Sequence, residues 1–373
     1  MPRRGYRVAH VQRTVGLVGL VAGGPSGVSR YSVALTRALA EVAPEYPALR
    51  VELLTTRAGA ERIGPIDLHV DVVPLRNRFV RGGPGRILLE QVCAALGNAD
   101  LLHFFDLSGP VLAPTKPFVA TIHDASVMHG YSVLRQAYKR RLGPWALRHA
   151  SALVAISEYA KNEARFFATR TNDISVIHSG PGFMAMSGAK PIIRDFELGD
   201  AGYFLFVGNL TASKNLPFLV RAFAKAAVGP RLLLVGRPGE HFAELESAIR
   251  VANGSIRMVH DATDFELDSL YRGATALVLP SRYEGFAFTP LEAMSRGCPV
   301  LASDIPAVRE VSGPGAMLLP LDDEAAWAEA MRDVARDPAA RERLRARGRA
   351  HVAGYSWQTT ARKLCDLFLA VST

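Results

Sequence analysis

Short apolar runs recur along most of this chain, and amphipathic helical stretches separate most of them. "RVELLTT" (50–56), "LHVDVVP" (68–74), "ADLLHFF" (99–105), "PFVATIH" (117–123), "ASALVAIS" (150–157) and "DISVIH" (173–178) are such runs, and "YRVAHVQ" (6–12) reads as the first. They are nearly continuous rather than alternating. That pattern suits strands covered on both faces, as in parallel sheets with helical crossovers. The alternation breaks over 179–200, which is rich in Gly, Pro and Ser, and restarts at "YFLFVGN" (203–209). "RLLLVG" (231–236), "IRMVH" (256–260), "ATALVLP" (274–280) and "PVLASD" (299–304) follow. A chain of 373 residues exceeds one ordinary core. The expected fold class is α/β, with two doubly wound Rossmann-like domains facing across a cleft, residues 1–185 and 186–355. Ligands of such sheets sit beyond the carboxyl ends of the strands.

Composition excludes several classes. Cys93, Cys298 and Cys365 are far apart and form no CxxC, so neither a disulfide framework nor a zinc site is expected. The run "VGLVGLVAGG" (15–24) is glycine-rich, is approached through Arg7, His10 and Arg13, and lacks a cleavage signature. With no spanning apolar stretch, a cytoplasmic protein is expected. The net charge of +9 is uneven: residues 1–185 carry 22 Lys and Arg against 13 Asp and Glu, whereas residues 186–373 carry 22 of each. The first half therefore suits an acidic partner, either a phosphate-bearing substrate or an anionic membrane surface at the inner face. Segment 332–350 holds seven arginines but no aromatic residue, so it reads as a solvated helix face and not a nucleic-acid site.

Four stretches carry chemistry. In "SRYEGFAFTPLEAMSRGCPV" (281–300), Glu284 and Glu292 lie eight residues apart. Thr289-Pro290-Leu291-Glu292 has the form of a capping box, with Thr289 as N-cap. Glu284 and Glu292 also suit the vicinal hydroxyls of a sugar or ribose. In "FVGNLTASKNLPFLVRAF" (206–223), a strand ends at Gly208 and Lys214 stands where a helix begins, an arrangement that attracts phosphate. "GGPSGVSRYS" (23–32) opens a helix, and Gly23, Gly24 and Gly27 permit close backbone approach to a ligand. It lacks the G-x-G-x-x-G order, which disfavours a nicotinamide cofactor. "ATIHDAS" (120–126) places His123 and Asp124 just after a buried strand.

Taken together, "GGPSGVSRYS", "VAISEYAKNEA", "FLFVGN…SKN" and "YRGATALVLPSRYEGFAFTPLEAMSRGCPVLASDIPAVREV" resemble a GT-B retaining glycosyltransferase of family 4. The likeness is greatest to its bacterial mannosyltransferases of polysaccharide assembly. The resemblance implies an acceptor-binding domain over 1–185, a nucleotide-sugar-binding domain over 186–355, and a terminal helix (356–373) that returns to the first domain. It implies that Lys214 binds the donor diphosphate near Gly208 and Asn209. Glu284 would bind donor-sugar hydroxyls with backbone amides at Gly285, Phe286 and Ala287, and Glu292 the ribose. His123 would stand beside the transferred sugar, and the Gly23–Gly27 loop near phosphate and acceptor. Lys214, Glu284 and His123 form the expected catalytic set. Asn209 stands where many family members have arginine, Ser213 where a basic residue is common, and Ala287 where glycine is usual.

The implied reaction moves a hexose, mannose from GDP-mannose, to a sugar, lipid-linked or small-molecule acceptor. Polysaccharide, glycolipid or natural-product glycoside assembly would use it. No Asp-x-Asp motif occurs, so no metal and no cofactor are expected. "RNRFVRGGPGR" (76–86) and "RQAYKRRLGPWALRH" (135–149) are the basic stretches suited to a membrane interface. A nucleotide-sugar epimerase and a non-catalytic sugar-nucleotide-binding subunit are the alternatives.

Overall fold

The computed structural model describes residues 12–23, 26–73, 98–106, 116–123, 148–165, 174–182, 201–239, 242–251 and 255–371. The chain divides into two compact units: residues to 156 with 161–178 and 357–373, and residues 157–160 with 179–356.

The first unit is built on a seven-stranded parallel sheet. Its strands are β1 (Arg13–Val18), β2 (Leu49–Thr56), β3 (His69–Val73), β4 (Leu101–Phe104), β5 (Phe118–Ile122), β6 (Ala152–Ala155) and β7 (Ile174–Val176). Their order is β3-β2-β1-β4-β5-β6-β7. Every residue of β4 and β5 is buried, as a strand covered on both faces requires. Residues 15–18 of the run 15–24 lie in the first described strand, while residues 6–11 of the stretch expected to form the first strand lie outside the described residues. Gly16 interrupts the apolar pattern for a packing reason: a Cβ there would stand 2.9 Å from the Ala99 side chain.

The second unit holds six parallel strands: β8 (Tyr203–Val207), β9 (Arg231–Val235), β10 (Ile256–Val259), β11 (Ala276–Leu279), β12 (Val300–Ser303) and β13 (Met317–Leu319). The order β10-β9-β8-β11-β12-β13 puts β8 between β9 and β11. The chain moves one way from β8 to β9 and β10, then crosses to β11. The carboxyl ends of β8 and β11 therefore flank the topological switch point, where open α/β sheets hold ligands. In the first sheet β1 has the same position, between β2 and β4.

The last helix, Trp357–Ala370, belongs to the first unit. The guanidinium of Arg13 donates to the carbonyls of Phe368 and Val371, and Thr360 Oγ1 donates to His178 O at 2.7 Å. Arg362 meets Glu45 through two 2.8 Å bonds. The arginine-rich helix Pro338–Val352 is capped by Asp337 and laced by Arg349–Glu342 and Arg343–Asp337 pairs, as a solvated face would be. Among the described residues no helix is long and apolar enough to cross a membrane.

Close backbone packing at the end of β8 gives a direct test. A Cβ on Gly236, just after β9, would lie 1.7 Å from the carbonyl oxygen of Gly208. Gly236→Ala is expected to cost roughly 3 kcal/mol, lowering Tm by about 6–12 °C in thermal unfolding. Gly27→Ala meets no atom within 4 Å, and should leave Tm unchanged or slightly raised.

Candidate active site

The second unit brings two of the expected residues into contact. After β8, Gly208 donates its N–H to Val235 O at 2.9 Å and Asn209 is exposed. A 3-10 turn over Ala212–Lys214 precedes the helix Leu216–Ala226. After β11 the chain runs through Ser281 to Glu284, and Arg282 N–H donates to Ser213 O at 2.8 Å, joining the two loops. Lys214 Nζ donates to Glu284 Oε1 at 2.5 Å. Ser281 Oγ donates to the same oxygen at 2.6 Å. The Ser281 carbonyl in turn accepts from Ser303 Oγ, at the end of β12, at 2.6 Å. The Lys214 and Glu284 side chains are only 18% and 13% exposed. A charge so far out of water needs a partner, and each provides it for the other.

Glu292 occupies a different place. It is fully buried within the helix Phe288–Ser295, and Tyr271 Oη donates to its Oε2 at 2.7 Å. Its Oε1 lies so close to Gly182 that a Cβ there would fall 1.9 Å away. The expected capping box does not form: Ala287, not Thr289, is the N-cap, and no side chain caps the helix. The chain enters that helix through a left-handed residue, which puts Thr289 and Pro290 inside the first turn. A reciprocal box does form one helix earlier, between Thr263 and Glu266. Ala287 has φ 64 and ψ 67 and is buried. This is the backbone region that favours glycine. Phe286 is buried with its ring 4.8 Å from that of Phe288.

In the first unit His123 directly follows β5 and is half-buried. Its Nε2 pairs with Phe105 O at 2.7 Å. Gly23 ends a 3-10 turn, and Gly27 opens the helix Gly27–Val42 behind the N-cap Ser26. Gly24, Asp124, Cys93, the loop 76–86 and most of 135–149 lie outside the described residues. Cys298 and Cys365 are free, and burial pushes each thiol up to about 12, which keeps them from acting as thiolates. Among the described residues, no three His, Cys, Asp or Glu side chains gather as a metal site requires. Sequence reasoning missed Ser281, Tyr271 and Gly182. Tyr271 and Gly182 reach Glu292 from distant parts of the chain and carry no local signal, whereas Ser281 stands only three residues before Glu284.

Known proteins resemble this chain in sequence and in fold. The model of the glycosyl transferases group 1 matches residues 192–351, and that of Glycosyltransferase Family 4 matches 25–180. The chain belongs to glycosyltransferase family 4. The family 4 chain is 28% identical to the O-antigen chain mannosyltransferase B of Escherichia coli, over 67% of this chain and 69% of that protein. It is also 28% identical to the D-inositol 3-phosphate glycosyltransferase of Salinispora tropica, over 93% of this chain and 81% of that one. Its fold matches sucrose-phosphate synthase from Thermosynechococcus elongatus, with a TM-score of 0.69 at 20% identity over 96% and 99% of the two chains. HepE of Anabaena, solved with UDP and glucose, matches at 0.69 and 16% identity over 96% and 100%. The GT-B architecture of this glycosyltransferase therefore accords with the two parallel sheets.

Ala287 offers a stability test in the family 4 chain. Ala287→Gly relieves a left-handed non-glycine residue, worth about 1 kcal/mol before the lost methyl contacts are counted. Ala287→Val puts a β-branched side chain there and should cost at least about 2 kcal/mol. Urea unfolding is expected to rank Gly equal to or above wild type, and Val clearly below.

Proposed function

We propose that this family 4 glycosyltransferase moves a hexose from a nucleotide sugar to an acceptor hydroxyl with retention of anomeric configuration. GDP-mannose is the proposed donor, and the acceptor is a sugar, a lipid-linked sugar or a small molecule. The observation that carries this reading is the Lys214–Glu284 pair, 2.5 Å long and mostly buried, beyond the ends of two neighbouring strands at a switch point. A cation and an acceptor set side by side suit an activated sugar, whose diphosphate is anionic and whose hydroxyls donate. The relatives named as mannosyltransferases support the choice of sugar.

On this reading Lys214 releases part of its bond to Glu284 and meets the diphosphate. Gly208 and Asn209 lie along the same loop. Glu284 then accepts from sugar hydroxyls beside the amides of Gly285, Phe286 and Ala287, and Glu292 accepts from the ribose. In the first unit His123 faces the transferred sugar, and Gly23, Gly24 and Gly27 approach phosphate and acceptor. The bond from the anomeric carbon to the diphosphate breaks, and the acceptor oxygen bonds to that carbon on the same face. The leaving phosphate oxygen takes the acceptor proton, so no carboxylate nucleophile is required. Lys214 supplies the positive charge that a metal supplies elsewhere, which makes the reaction metal-independent. The excess of Lys and Arg in residues 1–185 supports peripheral contact with an anionic membrane.

A thermal-shift panel of nucleotide sugars should show the largest stabilisation with GDP-mannose, on the order of 3 kcal/mol at a hundredfold excess over Kd. Lys214→Ala should reduce turnover by about 10²–10³-fold while the protein stays folded, and EDTA should leave the wild-type rate unchanged. A folded Lys214→Ala protein with wild-type turnover would refute the role of Lys214.

A further inference from the structure

Tyr31, in the helix Gly27–Val42, is fully buried. Three rings surround it. His123 is perpendicular to it, with centroids 4.6 Å apart. Trp357 lies at 5.5 Å and 65°, and Phe105 at 6.2 Å and 78°. Phe105 also offers the carbonyl that pairs with His123 Nε2 at 2.7 Å. A carbonyl only accepts, so Nε2 carries the proton, and Nδ1 is the acceptor of the neutral ring. A hydrogen bond alone leaves an imidazole able to pivot about that bond. A perpendicular ring at 4.6 Å removes the pivot. Trp357 closes on Tyr31 at the start of the last helix, which Arg13 and Thr360 tie to the first unit. Burial pushes the Tyr31 phenol above its ordinary pKa, so it stays neutral and its contribution is its shape.

We propose that Tyr31 is a positioning residue for His123, and that its ring, backed by Trp357, locks the imidazole in one orientation and one tautomer. This rests on the reading that His123 stands beside the transferred sugar. In a family 4 chain whose acceptor side is the first unit, the effect belongs in kcat and not in donor affinity. The donor-binding side chains Lys214, Glu284 and Glu292 all lie in the second unit.

The test uses the full chain, with release of GDP from GDP-mannose as the assay. Tyr31→Leu and the volume-filling Tyr31→Met are compared with Tyr31→Phe, after thermal unfolding has established which variants fold. Folded Leu and Met variants should lose about 10²-fold in kcat with KM for GDP-mannose within about twofold of wild type. In protein labelled with 15N-histidine, the His123 signals, assigned through His123→Gln, should pass from a single Nε2–H tautomer to a mixture. Tyr31→Phe should keep both rate and tautomer. Wild-type kcat in a folded Leu or Met variant would overturn the proposal. So would a slow variant with an unaltered His123 tautomer, or a Phe variant as slow as Leu. Wild-type turnover in His123→Ala would reject the reading of His123 and the proposal together. If the wild type itself leaves GDP-mannose intact, the donor assignment fails, and the tautomer measurement alone then decides on Tyr31.

Discussion

The charge of Lys214 has to be balanced inside the folded second unit, and the rest of the site is arranged around that requirement. An ammonium with 18% of its side chain exposed cannot rely on water. Glu284 balances it at 2.5 Å, and Ser281 shares the burden of the carboxylate. A pair built this way is weak evidence for stability, because desolvation offsets most of the attraction. On the proposed function, its value lies in holding a cation and an acceptor fixed before a ligand arrives. Prearranged charges of this kind need no reorganisation during reaction, which is where electrostatic catalysis gains most.

Sheet topology explains why the pair can form. Lys214 and Glu284 are 70 residues apart in the chain, yet β8 and β11 are neighbours. Each side chain leaves from the carboxyl end of its strand, so the crossover brings the two loops together. The bond from Arg282 N–H to Ser213 O fixes their spacing. Gly236 lets the backbones after β8 and β9 approach more closely than a side chain there would allow, since its Cβ would strike the Gly208 carbonyl. The same logic operates in the first sheet, where Phe105 after β4 meets His123 after β5.

Much of the fold was legible in the sequence because strands buried on both faces leave continuous apolar runs. The thirteen described strands are only three to eight residues long, yet most coincide with such a run. β1 was not singled out as a strand because Gly16 breaks its pattern for a packing reason. β13 and the helix Arg57–Ile63 have no clear punctuation, since the latter follows β2 without a loop. The capping box at Thr289 was a sound local reading that tertiary structure overrode: a left-handed Ala287 starts the helix earlier and turns Glu292 inward. Lys214, Glu284, Glu292 and His123 were singled out through family resemblance and residue chemistry. Their partners Tyr271, Gly182 and Tyr31 were not, because only the folded chain brings them near; Ser281, three residues before Glu284, was passed over because a serine in a loop carries no signal of its own.

The central claim is that Lys214, Glu284 and Glu292 converge on one nucleotide-sugar molecule. A crystal structure of the full chain with GDP-mannose measures this most directly. The account predicts the diphosphate within hydrogen-bond distance of Lys214 Nζ, sugar hydroxyls on Glu284 and ribose hydroxyls on Glu292. A donor bound elsewhere, or bound here with the Lys214–Glu284 pair intact and facing away from it, would contradict the account.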